Sequence, residues 1–148
     1  MERISNMAHF LRSFFGGIFA CTEKVTTFDE VTLHLSGMRA IQDYAILNKG
    51  AQTEVCEYEN EVEDGKEVKK VIKCVSVDTE TVLKILNDCH IMAWDGFHGK
   101  HPRGIKDGTM FRFTAQVNDG QSISAHGSQN FPRNFQKFRD WIRSTLES

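Results

Sequence analysis

The chain has little of what usually announces a function. Its 148 residues include only two prolines, two tryptophans and two tyrosines. So few prolines exclude a polyproline or collagen-like chain, and no Pro- or Ser-rich linker divides it. No apolar run approaches the ~20 residues that a membrane-spanning helix requires. The four cysteines, Cys21, Cys56, Cys74 and Cys89, form no C-x-x-C pair, so the commonest zinc and thiol-redox spacings are missing. Charge of one sign is missing too. Eighteen basic residues against twenty acidic ones, a formal net charge of −2, make no electrostatic case for nucleic acid or an anionic membrane. No internal repeat is visible.

What remains is a globular composition. Forty per cent of the residues are hydrophobic and eleven are Phe, a side chain with no polar handle for a rim. One domain over residues 1–148 is expected, with 1–7 a loose end.

The clearest pattern lies near the carboxy terminus. Residues 109–117 alternate, with Phe111, Phe113, Ala115 and Val117 on one side and Arg112, Thr114 and Gln116 on the other. Asn118-Asp119-Gly120 supplies a turn, and residues 121–127 return. A two-residue loop would put Ile123 on the polar side. A three-residue loop with left-handed Gly120 pairs Ala115 with Ile123 and Phe113 with Ala125, and only that register buries one face. Pro132 then suits a first helical turn, and Phe131, Phe135, Phe138, Ile142 and Leu146 recur at helical spacing beside Trp141.

A second hairpin is written in charge. Acidic residues from Glu54 to Asp64 are answered by Lys66, Lys69, Lys70 and Lys73 across Asp64-Gly65. Folding on that turn sets Glu63 against Lys66, Glu59 against Lys70 and Tyr58 against Val71. A solvated hairpin therefore accounts for the charges better than a separate binding strip. The strand runs on to Val77, where Asp78 is expected to cap a helix burying Val82, Leu83, Leu86 and Cys89. Earlier, Val31, Leu33 and Leu35 alternate with Thr32 and His34, and Ser36-Gly37 turns the chain into an antiparallel partner over 38–47. Residues 9–15 read as a further strand before Gly16-Gly17. The sum is an α+β fold: an antiparallel sheet of about five to seven strands, with two helices packed on one face.

Chemistry, if any, is expected in the connection 94–108, because long loops in compact domains are disproportionately functional. It carries Trp94, Asp95, His98, His101 and Arg103. His98-x-x-His101 offers two imidazoles, with Cys89, His90 or Asp95 as further candidates, but no second paired spacing supports zinc, and no metal is expected. Gly96, Gly99 and Lys100 hint at an anion cradle. The spacing is not that of a P-loop, and a Gly-rich turn is the simpler account. Cys89-His90 are adjacent in sequence, which does not bring their side chains together as a catalytic pair, and no serine sits in a nucleophile elbow. The polar side of the last hairpin sets Arg112 against His126 and Thr114 against Ser124. An ordinary wet sheet face is the simpler account of it, and the sharper one is a docking face for a protein or peptide with Trp94 and Phe97 at its edge.

Trp94-Asp95-Gly96, Asp107-Gly108, the following strand, Gly127, and Asn130-Phe131-Pro132 with Phe135 together resemble the closing unit of small bacterial proteins of unknown function. The resemblance covers about the last third, and it implies a fold element and no activity. Gly127 and Asn130 would hold the turn into the helix.

The expected function is a non-catalytic binding or interaction module with a protein or small-molecule partner. No cofactor, nucleic acid or membrane is expected. The alternative is an enzyme or metal protein working from the 94–108 loop. Candidate binding residues are Trp94, Asp95, His98, His101, Arg103, Arg112 and His126. Ile18-Phe19-Ala20-Cys21 superficially matches a lipoprotein cleavage site, but the apolar run before it is short and broken by Gly16-Gly17. An unlipidated, cytoplasmic protein is expected.

Overall fold

A computed structural model describes residues 23–38 and 40–148. The expectations for the loose end, the strand over 9–15 and Cys21 lie outside those residues. Strands β1 (Phe28–Ser36), β2 (Ile41–Asn48), β3 (Gln52–Glu63) and β4 (Lys66–Asp78) precede helix α1 (Thr79–Asp88). A 3-10 turn (Ile91–Trp94) leads to β5 (His98–Gly99), then β6 (Met110–Val117), β7 (Gln121–Ser128) and helix α2 (Phe135–Glu147). The strands form one seven-stranded sheet in the order β4-β3-β2-β1-β6-β7-β5. Every pairing is antiparallel except β5 with β7. This is an α+β fold.

The last hairpin has the register that burial demanded: Ala115 opposes Ile123 and Phe113 opposes Ala125. Asn118, Asp119 and Gly120 all have positive φ, so the whole turn is left-handed rather than Gly120 alone. The charged hairpin is likewise in the expected register, with Glu63 opposite Lys66, Glu59 opposite Lys70 and Tyr58 opposite Val71. A bulge then absorbs Ile72, so that Glu57 meets Lys73 and Cys56 meets Cys74. That one-residue slip sets the two thiols face to face. They form a disulfide with Cα atoms 4.1 Å apart. Cys89 is free and buried.

Both helices feed a single core. Val82, Ile85 and Leu86 of α1 and Phe135, Phe138, Ile142 and Leu146 of α2 join Val31, Leu33, Leu35, Phe111 and Phe113 of the sheet. Two helix starts differ from expectation. Asp78 stands at the N-cap of α1 without capping it, because its carboxylate accepts from Gln52 Nε2 at 2.6 Å. Helix α2 begins at Phe135, not at Pro132: Asn134, at φ 70°, breaks the helical path, and its side-chain amide donates to the Cys89 carbonyl.

Trp94 explains why the chain turns where it does. The indole is 2% exposed, packs edge-on against Phe113 and Phe138, and donates from Nε1 to the Arg133 carbonyl at 2.9 Å. A buried indole N–H needs such a partner. Trp94 therefore anchors the loop to the core and is not at the edge of a docking face.

Candidate functional site

Alternation in β1 and β6 sends Leu33, Leu35, Phe111 and Phe113 inward, so His34 and Arg112 project from the opposite, outer face. Registers then fix what stands beside them. His34 opposes Asp43 on one side and Arg112 on the other. Asp43 opposes Tyr58, Arg112 opposes His126, and His126 pairs with His98. In sheet order these residues make one transverse row over β3, β2, β1, β6, β7 and β5: Tyr58, Asp43, His34, Arg112, His126, His98. Six adjacent strands each contribute one polar or ionisable side chain to it.

The neighbouring row is made of small residues. Cys56, Ala45, Thr32, Thr114 and Ser124 are cross-strand neighbours, with Thr32 and Thr114 joined hydroxyl to hydroxyl. Large side chains beside small ones leave a depression. A cavity of about 450 Å³ opens among Thr32, His34, Asp43, Ala45, Tyr58 and Lys69. A second, of about 350 Å³, opens among His34, His98, Lys100, His101, Arg112 and His126. The two share His34 and Arg112.

Within the row, His34 Nδ1 lies 2.6 Å from Asp43 Oδ1. A carboxylate only accepts, so Nδ1 carries the proton and the neutral ring presents Nε2 as its free acceptor. Asp43 is nearly buried at 8% exposed, while the His34 side chain keeps 40% of its surface. The imidazole is thus held from behind and open in front. His98 Nδ1 is hydrogen-bonded to His126 Nε2. His101 Nε2 donates to the Ile105 carbonyl, leaving Nδ1 to take the Ser128 hydroxyl at 2.8 Å. Arg112 is exposed and has no hydrogen-bond or ion-pair partner among the described residues.

Backbone contact seats the edge strand that carries His98. A Cβ on Gly99 would lie 2.2 Å from the Asn130 carbonyl oxygen, and one on Gly127 would lie 2.5 Å from the same atom. Only glycine allows β5, β7 and the Asn130 turn to meet so closely. Gly127 is a folding residue, as expected, and it also positions the histidine pair. The 94–108 connection is accordingly less structureless than it reads, since it adds a seventh strand to the sheet.

The expected site residues divide. His98, His101, Arg112 and His126 line one cavity. Trp94 is core, and Asp95 is a loop tie whose carboxylate accepts from the Ser124 amide at 3.0 Å. Arg103 is exposed and lines neither outer-face cavity. Sequence reasoning missed His34, Asp43 and Tyr58. The alternation placed His34 outward, and the register of the β1–β2 hairpin was the signal that would have paired it with Asp43. As for metal, no trio of closely spaced candidate ligand atoms among the described residues includes His98 or His101. Among the described residues, one trio of candidate ligand atoms lies within 4.8 Å of one another, Glu54, Cys56 and Cys74, and its two cysteines are bonded to each other.

The shifted titrations lie outside this row. Burial pushes the Cys89 thiol up to about 11. Tyr44 is raised by burial and by Glu57, against the opposing pull of Arg143 and Arg139, while burial and then Arg143 lower Arg139. No helix among the described residues is long and apolar enough to cross a membrane. No protein-family model matches the chain, and comparison with curated proteins and with solved structures finds no similar protein.

Proposed function

We propose that the protein is a non-catalytic binding module whose partner is a small molecule held on the outer face of the sheet. The carrying observation is the transverse row from Tyr58 to His98, bordering two cavities that share His34 and Arg112. Ligand sites are concave and hold a few convergent polar groups, and a flat protein-docking face needs neither. Ligand-observed NMR with mixtures of carboxylates, phosphates, sugars and neutral aromatics tests it. A saturable binder whose signal is lost in Tyr58→Ala and Thr32→Tyr is expected. No binder across all four classes would sink the reading.

A second reading, an enzyme, is favoured by one observation, the His34–Asp43 pair. An oriented imidazole with a free Nε2 is the form a general base takes. Should a bound ligand be converted, His34→Gln would abolish turnover while sparing affinity. Cytoplasmic residence belongs to the same proposal, and the Cys56–Cys74 bond bears on it, because reducing pools keep ordinary structural thiols open. Alkylation after acid quenching of cells would show both thiols free in a reducing compartment and both protected in an oxidising one.

A further inference from the structure

The two cavities differ in charge. The larger one mixes signs, with Glu30 and Asp43 beside Lys69 and Arg112. The smaller is lined by Arg112, Lys100 and four histidines, His34, His98, His101 and His126, and by no carboxylate among the described residues. This asymmetry stands out in a chain whose net charge is −2. Arg112 sits in the middle of it, exposed and without a partner among the described residues. An unpaired guanidinium offers a planar fork of donors that matches two oxygens of one anionic group. Asp43, the nearest acid in the row, is occupied by His34. The Ser128 hydroxyl on the same wall is engaged, donating to His101 Nδ1.

We propose that the smaller cavity is an oxyanion subsite that takes the carboxylate or phosphate group of the ligand, Arg112 and Lys100 supplying charge and the His98–His126 pair the one ring N–H that their mutual hydrogen bond leaves free. This rests on the outer-face reading and names the ligand's chemical class. Two features give it direction. The cavity shares His34 and Arg112 with the larger one, so a ligand that spans both sets its anionic end toward His98 and the remainder over Thr32 and Ala45. The seating of β5 on Gly127 holds the His98–His126 pair in place without help from a ligand. The histidine side of the subsite is preorganised.

The test is a titration of the whole chain, in low-salt buffer of constant ionic strength and pH, with inorganic phosphate and separately with acetate. Ring 1H–15N correlations of His98, His101 and His126 are the readout. Saturable shifts in these three are expected with at least one anion, and glucose at the same concentrations should move none of them. Arg112→Gln should weaken the response about tenfold or more, because a charge-assisted contact is lost, and Lys100→Gln by a smaller factor. Saturation by phosphate alone assigns a phosphate-bearing ligand, and by acetate alone a carboxylate. Non-saturable drift with both anions, or equal affinity in Arg112→Gln, overturns the subsite. If that happens while a neutral molecule from the mixtures still binds over Thr32 and Ala45, the outer-face reading survives its failure. If nothing binds either cavity, both fall.

Discussion

The two faces of one sheet are built from alternate residues of the same strands, and they do different work. On β1 and β6 the inward set is Val31, Leu33, Leu35, Phe111, Phe113 and Ala115, none more than 3% exposed. The outward set is Thr32, His34, Arg112 and Thr114. Because the side-chain period of a strand is two, neither set can move without the other, and a one-residue slip would exchange them. The inner face fixes the register, and the register alone brings His34 to Asp43 and Arg112 to His126. The polar row exists because the apolar one is buried. Stability should therefore be most sensitive to the inner face and much less so to the outer, except where an outer residue holds a nearly buried partner as His34 holds Asp43, with ligand binding the reverse.

The largest effect should come from emptying the inner face. Phe138 is fully buried and meets both Trp94 and Phe113 edge-on. Phe138→Ala should cost about 3–5 kcal/mol in denaturant unfolding, the transfer loss plus the cavity left behind. A shift below about 1 kcal/mol would mean that the core does not depend on this face.

That face was also the legible one. Burial of alternate residues selected one register for β6 and β7, and opposite charges selected one for β3 and β4 up to the bulge at Ile72. Nothing in composition marks a bulge, so the pairing of Cys56 with Cys74 stayed hidden among four widely spaced cysteines. The site was half legible. Arg112 and His126 followed from the hairpin register, and His98 and His101 from the loop's density of polar residues. Their convergence did not, because it depends on a two-residue parallel strand seated by Gly99 and Gly127, a contact between backbones far apart in sequence. His34 and Asp43 lie in strands whose facing residues could be counted only after the turn between them was known.

A pH series sharpens the comparison from the inner side. The folded pKa of Cys89 is raised by burial to about 11 from an ordinary value of 9.0. Folding then retains a proton that the unfolded chain releases. The contribution is fully present below pH 9 and is lost as pH rises through the folded value, roughly 2–3 kcal/mol in all. Raising the pH from 9 to 11 should destabilise the wild type more steeply than Cys89→Ala. Parallel curves would assign the alkaline loss to other groups such as Tyr44.

The seam between the two faces should be intermediate. Gly127→Ala forces a methyl group against the Asn130 carbonyl and the Phe111 ring, an overpacking that costs about 1–3 kcal/mol. Hydrogen exchange should report its separate consequence. The His126 amide, bonded to the Phe97 carbonyl, should lose protection as β5 lifts away. Unchanged protection would show that β5 keeps its seat without glycine.

The charged hairpin stands apart from both faces, and its effect should be small. Lys70 opposes Glu59 in register, but its ammonium reaches Glu61 diagonally at 3.6 Å, with both side chains well exposed. A double-mutant cycle on Lys70 and Glu61 should give a coupling of a few tenths of a kcal/mol, as exposed pairs do. Coupling with Glu59 should be weaker still. The reverse ranking would place the ammonium on the directly opposed residue.

The smallest change in stability is expected where the largest change in binding is. Arg112 leans on no other described side chain for a hydrogen bond or ion pair, so Arg112→Gln should alter the unfolding free energy by no more than about 0.5 kcal/mol in either direction. Removing a guanidinium from a cavity that also holds the Lys100 ammonium relieves like-charge repulsion and breaks no hydrogen bond or ion pair among the described residues, so a slight stabilisation is the expected sign. His34→Gln differs, because it leaves the nearly buried Asp43 carboxylate without the imidazole that solvates it. It should cost about 1–3 kcal/mol. The two outer-face variants thus separate a residue kept for its ligand from one that also serves the fold. Substantial destabilisation by Arg112→Gln would show that the guanidinium supports the sheet, and the division of labour between the faces would fail at its centre.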